Sequence, residues 1–128
     1  MKSSMYKSVS TGVTTPIFKV AIENNSAVNY LLNIGVISKD SVGNKCSAGG
    51  GVVNHVHVLR NSVFSTVTAT VNYQENETDG NTTLTISTAY ASNYVTVSVN
   101  VTQATFTPTS IVVYFNIISL CPGTVVIL

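Results

Sequence analysis

The stretch Tyr94-Val95-Thr96-Val97-Ser98-Val99-Asn100-Val101-Thr102 alternates valine with a hydroxyl or amide side chain at every step. Only an extended strand sends successive side chains to opposite faces. A period of two therefore puts Val95, Val97, Val99 and Val101 inward and Thr96, Ser98 and Asn100 outward. The valines also disfavour helix, because a β-branched side chain loses its freedom against the preceding turn. A slip of one residue would expose every valine, so the register of this strand is tightly set. The stretch predicts a half-buried strand whose outer face is polar but carries no charge.

The same alternation runs outward in both directions. Residues 15–22 bring Phe18, Val20 and Ile22 to one face, and residues 27–38 line up Val28, Tyr30, Leu32, Ile34 and Val36 opposite Asn29, Asn33 and Gly35. Residues 52–59, 62–73, 82–88, 110–118 and 124–128 complete a set of about eight strands. Residues 110–118 are apolar on both faces, which suits a central strand or one covered by another subunit. A glycine-rich loop is expected over 43–51, and turns at Asp79-Gly80, Thr107-Pro108 and Pro122-Gly123. Short strands at this spacing predict an all-β fold, an antiparallel β-sandwich, with a jelly roll favoured over an immunoglobulin-like arrangement. A chain of 128 residues forms one core that buries roughly two-thirds of its unfolded surface. The expected organisation is a polar N-terminal arm over 1–14 followed by a single β-sandwich domain over 15–128.

Charge is scarce and unevenly placed. Charged residues make up 9% of the chain, and none lies in residues 81–128, which also lack histidine. The 6 Lys and Arg all lie at or before Arg60, too few and too scattered to form the phosphate-neutralising stripe that nucleic acid requires. Strands exposed on a soluble monomer usually carry charges that block edge-to-edge pairing, so a long neutral segment points to surfaces covered by partners. No apolar run reaches the roughly 18 residues of a membrane helix, and the N-terminus lacks the apolar core of a secretory leader. Neither nucleic acid nor membrane is an expected partner.

Each chemical candidate meets an ordinary structural alternative. His55 and His57 share one face of a strand at a spacing that can chelate a metal, with Gly49 upstream as in cupins, yet Asn61 and Ser62 stand where that motif needs Glu. The alternative is two polar residues on a solvent- or partner-facing strand. Glu75, Glu77 and Asp79 echo the start of a calcium loop, but Ile86 occupies the position of its bidentate Glu. A hairpin tip in solvent, or an irregular cation site, remains. Cys46 and Cys121 leave a disulfide open, and Cys46 has no base or acid beside it in sequence. Gly49-Gly50-Gly51 has no following Lys, and no Gly-x-Ser-x-Gly occurs. Neither a catalytic set nor a cofactor or metal site is expected. The Asn-x-Ser/Thr triplets at Asn24, Asn76, Asn81 and Asn100 are what so Ser- and Thr-rich a chain produces by chance.

Three functions fit. Neutral Thr-rich faces, carried by stretches such as Val67-Thr68-Ala69-Thr70-Val71 and residues 95–101, combine with a polar arm and no catalytic set. In this style the chain resembles small β-sandwich proteins of viral particles, particularly bacteriophage capsid decoration (cement) or tail proteins. The resemblance implies a symmetric homo-oligomer, a trimer favoured, bound to a major capsid or other virion protein. It also implies synthesis in the host cytoplasm without a signal peptide, and no cofactor. Thr96, Ser98, Asn100, Thr102, Val112 and Tyr114 are the expected assembly surface. The second function is a carbohydrate-binding or adhesin module, with Tyr73, Tyr90, Tyr94 and Asn93 as the glycan contact. The third, a β-pore former, lacks aromatic girdles at both ends of its strands.

Overall fold

The alternating segments form nine strands among the described residues of the computed structural model, which are 5–40, 45–77, 82–121 and 124–128, with side chains described outside 67–77 and 119–121. The strands are β1 (Met5–Ser8), β2 (Thr15–Ala21), β3 (Ser26–Asp40), β4 (Lys45–Arg60), β5 (Val63–Glu77), β6 (Thr82–Ala91), β7 (Tyr94–Gln103), β8 (Ser110–Cys121) and β9 (Val125–Ile127). A five-stranded sheet has the order β1-β8-β3-β4-β5 and a four-stranded sheet the order β6-β7-β2-β9. Every pairing is antiparallel. The hairpin run β3-β4-β5, with β8 returning beside β3, is a Greek key. With β1 beside β8 in one sheet and β2 beside β7 in the other, the chain wraps as in a jelly roll, although β3, β4 and β5 stay together.

The core lies between the sheets. Val95, Val97, Val99 and Val101 of β7 are fully buried, as are Val28, Tyr30, Leu32, Ile34 and Val36 of β3. Each such aliphatic side chain contributes roughly 1.5–3 kcal/mol on burial, so a charge at Val97 would oppose the whole seam. Phe18 of β2 bridges the layers, stacked on Phe115 at 5.6 Å and edge-on to Tyr30 at 5.8 Å. A register shift between Pro16 and Phe18 turns both Ile17 and Phe18 inward, which simple alternation does not anticipate. Strand β8 buries Ile111, Val113, Phe115 and Ile117 and leaves Val112 and Tyr114 half-buried on its outer side.

Two local readings need correction, and of the expected turns Thr107-Pro108 lies between β7 and β8 while Asp79-Gly80 and Pro122-Gly123 lie outside the described residues. The expected glycine-rich loop is mostly strand, since residues 45–51 belong to β4, and Gly50 lies opposite Gly35 of β3. The glycines serve close packing there: a Cβ on Gly35 would overlap the Tyr114 ring, and one on Gly50 would come 3.0 Å from the Ile34 carbonyl oxygen. Within the segment read as an arm, residues 5–8 form β1 along the β8 edge, and Met5 and Val9 pack against the core. Its continuation turns through Gly12 at φ 73° into β2. Two tight hairpins beyond the expected turns use neither Gly nor Pro: Asn61-Ser62 and Ser92-Asn93 take positive φ at both central positions, the turn that matches the twist of paired strands. The backbone N–H groups of Asn61 and Ser62 donate to Asn25 Oδ1 and Asn24 Oδ1, each at 2.9 Å, which holds the first of these turns.

Candidate functional site

The expected assembly residues divide between two opposite faces. Thr96, Ser98, Asn100 and Thr102 point outward from β7 in the four-stranded sheet, and exposed Thr83, Thr85 and Ser87 of β6 lie in register beside them. Val112 and Tyr114 lie on the outer face of the other sheet, with Tyr114 over Gly35 and 6.4 Å from the Tyr6 ring. Asn100 has an internal duty, because its Nδ2 donates to Gly12 O at 3.2 Å and to Thr14 Oγ1 at 3.0 Å. It clamps the link between β1 and β2. On the four-stranded sheet the outer rows of β7 and β6 form a field of uncharged hydroxyls that ends at the β6 edge and is flanked on β2 by Lys19, in register with Thr96.

The expected glycan contacts do not form one platform. Tyr90 follows the inward phase of Leu84, Ile86 and Thr88, whereas Tyr94 follows the outward phase of Thr96. The Tyr90 ring stacks on Phe64 at 5.7 Å and its hydroxyl donates to Asn93 Oδ1 at 3.2 Å. Lys19 Nζ sits 4.3 Å over the Tyr94 ring. The Tyr73 side chain lies outside the described residues. Among the tyrosines with described side chains the most exposed is Tyr6, at 72%, beside Tyr114 on the opposite face.

His55 and His57 are buried in the core, contrary to a solvent- or partner-facing placement. They follow the phase of Val53 and Leu59, both buried, and that shared phase is the sequence signal for their inward position. Tyr30, which sequence reading did not connect to them, is the register partner of His55. Its hydroxyl lies 2.9 Å from His55 Nδ1 and 2.8 Å from His57 Nε2. A phenol has one proton, so with both imidazoles neutral it donates to one ring and accepts from the N–H of the other. His57 Nδ1 continues the chain to Thr66 Oγ1 at 2.9 Å, and Thr88 Oγ1 donates to Thr66 Oγ1 at 3.4 Å. This line of hydrogen bonds runs from the core centre to the seam between β5 and β6. Burial lowers the basicity of both histidines; His57 is pushed down to about 4, with the neighbouring His55 adding to the effect of burial. Burial likewise pushes the Tyr30 phenol above its usual range. Tyr30 therefore remains a neutral phenol and the histidines are neutral at pH 7, so the network serves as a satisfied polar strut across four strands, β3 to β6.

Among the described residues no group of three or more His, Cys, Asp or Glu converges to hold a metal ion. The acidic segment ending at Asp79 lies partly outside the described residues. Backbone register places Cys46 opposite Lys39 and Cys121 opposite Asn29, at the two ends of β3. That is roughly 33 Å of strand, far beyond the reach of a disulfide. A second polar clasp joins the sheets, where the Ser47 and Thr82 hydroxyls share a hydrogen bond and Gln103 Nε2 donates to Thr82 Oγ1 at 2.8 Å.

No protein-family model matches the sequence, and no curated protein matches it. Among solved structures, the chain is similar to a tailspike protein of Acinetobacter baumannii phage AM24, with a TM-score of 0.51 at 10% identity. The match covers 98% of this chain and 28% of the tailspike, so the chain spans little more than a quarter of that protein. The likeness is one of fold.

Proposed function

We propose that this chain is a non-enzymatic structural component of a virus particle, a capsid decoration (cement) protein or related head or tail component. In this reading it assembles with copies of itself and binds a protein shell. The supporting observation is a sandwich with no charge anywhere in residues 81–128, whose fold matches part of a phage tailspike. Neutral strand surfaces are hazardous on a free molecule, because nothing opposes pairing with other chains. Inside a particle, neighbours cover them. Such contacts gain from main-chain pairing and apolar burial, so salt screens them little. The test is mass spectrometry and antibody labelling of particles purified on a density gradient and washed in about 1 M salt. The chain is expected at a constant ratio to the major capsid or tail protein; its absence from washed particles refutes the proposal.

A carbohydrate-binding role at a virion or cell surface has one observation in its favour. Exposed Tyr6 and half-buried Tyr114 form an aromatic pair, and in the next row Asn33 lies opposite Asn116, whose Oδ1 is buried without a hydrogen-bond partner. Glycan-array binding lost in Tyr6→Ala would support this role, and an array with no bound glycan would remove it.

A further inference from the structure

The hydrogen-bonded line that starts at Tyr30 crosses from one sheet to the other. Strands β5 and β6, where it ends, are edge strands of different sheets and share no main-chain pairing among the described residues. Side chains hold them together at this level. The Phe64 ring stacks on His57 at 6.0 Å and on Tyr90 at 5.7 Å, and Thr88 Oγ1 donates to Thr66 Oγ1 at 3.4 Å. Farther along β6, Thr82 is clasped by Ser47 and Gln103. Cover thins outward along the line: Tyr30, His55 and His57 are buried, whereas Phe64, Thr66, Thr88 and Tyr90 are only half-buried.

An added proton changes what this line requires. With Tyr30 donating to His55 and accepting from His57, a proton taken up at His57 Nδ1 is donated to Thr66 Oγ1, and the positive charge stands at the end nearest the seam. No hydrogen bond is lost, but no opposite charge faces the imidazolium. Tyr30 and Tyr90 are the ionisable side chains that β3 and β6 turn toward the pair, while Phe64 and Thr66 of β5, Phe18 of β2 and Val97 of β7 are uncharged. The register partner of His55 on β5 is Thr68. Lys19 lies over the outward Tyr94 ring, and Glu23 and Arg60 are exposed. A second proton, on His55 Nδ1, would leave the Tyr30 hydroxyl proton without an acceptor. A buried charge without a partner is costly unless water reaches it. The half-buried threonines mark the way for water, and opening there separates side chains only.

We propose that the histidine pair is an acid-operated latch: on protonation the sandwich parts locally along the β5–β6 seam, where Phe64 and Thr66 meet Tyr90 and Thr88, and water reaches His57 while both sheets keep their main-chain pairing. The inference goes beyond the reading of the chain as a particle component and stands whatever the chain binds. Burial lowers the basicity of both histidines in the closed form, and water restores it in the open one. Falling pH therefore favours the open form, and at neutral pH the latch stays shut.

The test is thiol labelling in a Cys46→Ser, Cys121→Ser background, with one cysteine introduced as Thr88→Cys at the seam or as Val97→Cys in the core. A dithiodipyridine reagent, which reacts in acid, is used, and rates are divided by that of glutathione at the same pH. Labelling of Thr88→Cys is expected to rise on the order of tenfold from pH 7 to about pH 4.5, while Val97→Cys stays protected and far-UV circular dichroism is unchanged. His57→Gln, whose side chain takes up no proton, is expected to abolish the rise. A second variant does not depend on replacing the histidine. In Thr66→Cys with Thr88→Cys, oxidised across the seam, NMR is expected to show His57 titrating lower by on the order of one pH unit than in the reduced form. Equal acceleration at both cysteine positions means that the whole fold loosens and overturns the seam. A rise that persists in His57→Gln, no rise at Thr88→Cys, or a His57 titration unaffected by the cross-link overturns the latch.

Discussion

Acid should loosen this protein through the histidine pair. His57 is fully buried, its Nε2 2.8 Å from the Tyr30 hydroxyl and its Nδ1 2.9 Å from Thr66 Oγ1. No Asp or Glu among the residues with described side chains lies in this network to compensate a positive charge. The folded chain binds the His57 proton only near pH 4, whereas an unfolded chain binds it near the ordinary imidazole value of 6.5. The unfolded state thus holds more protons between these values, and stability falls as pH falls through that window. The stabilisation is complete above about pH 6.5, and roughly 3 kcal/mol of it is gone at pH 4, from a difference of about two and a half pKa units at 1.36 kcal/mol each. His55, lowered in the same direction, adds to the loss. Against a typical domain stability of about 5–15 kcal/mol this is a large fraction. Urea unfolding followed from pH 7.5 to 4 should show the decline beginning below about pH 6.5, with His57→Gln giving a shallower slope over the same interval. The reasoning is refuted if unfolding free energy stays level from pH 7 to 4.5, or if NMR of the native chain shows His57 titrating near its ordinary value.

Other perturbations test the packing. Tyr30→Phe removes the hydroxyl shared by the two imidazoles and should cost about 1–3 kcal/mol for each ring nitrogen left unsatisfied; a change under about 0.5 kcal/mol in urea unfolding would show that the network contributes nothing. Gly35→Ala should cost about 1–3 kcal/mol by driving the Tyr114 ring from its place, and much less in a Tyr114→Ala background; equal costs in both would show that the ring and the glycine are not coupled. Ser92→Gly relieves a side chain held at φ 52° and should raise stability by about 0.5–1 kcal/mol, read as a higher melting temperature, whereas a lower one would contradict the positive-φ turn.

What could be read from residues alone followed from the strict period of two. The inward set of β7 and the alternation of β3 were legible because every second residue is apolar and a strand has only two faces. The glycine segment of β4 was not, since a glycine tells the reader nothing about facing; its strand becomes visible only when Gly50 is set opposite Gly35 and the Tyr114 ring lies over the latter. The histidines show the same divide. Their phase with Val53 and Leu59 was present in the sequence, yet an inward histidine needs a buried partner, and Tyr30 lies on another strand.

The amino-acid order by itself determined that this chain forms strands, which side of most strands faces the core, and that its last third offers no charge to solvent. Those properties are local, set by side-chain alternation and composition. Tertiary structure decided which strands are neighbours and which faces coincide. It placed the hydroxyl rows of β7 and the Tyr114 ring on opposite sides of the sandwich, joined Tyr30 to the histidines, and left β6 at an edge while β7 became interior. Pairing across a sheet depends on contacts distant in sequence, and alternation along one strand is the same whether that strand ends up in the centre or at the rim.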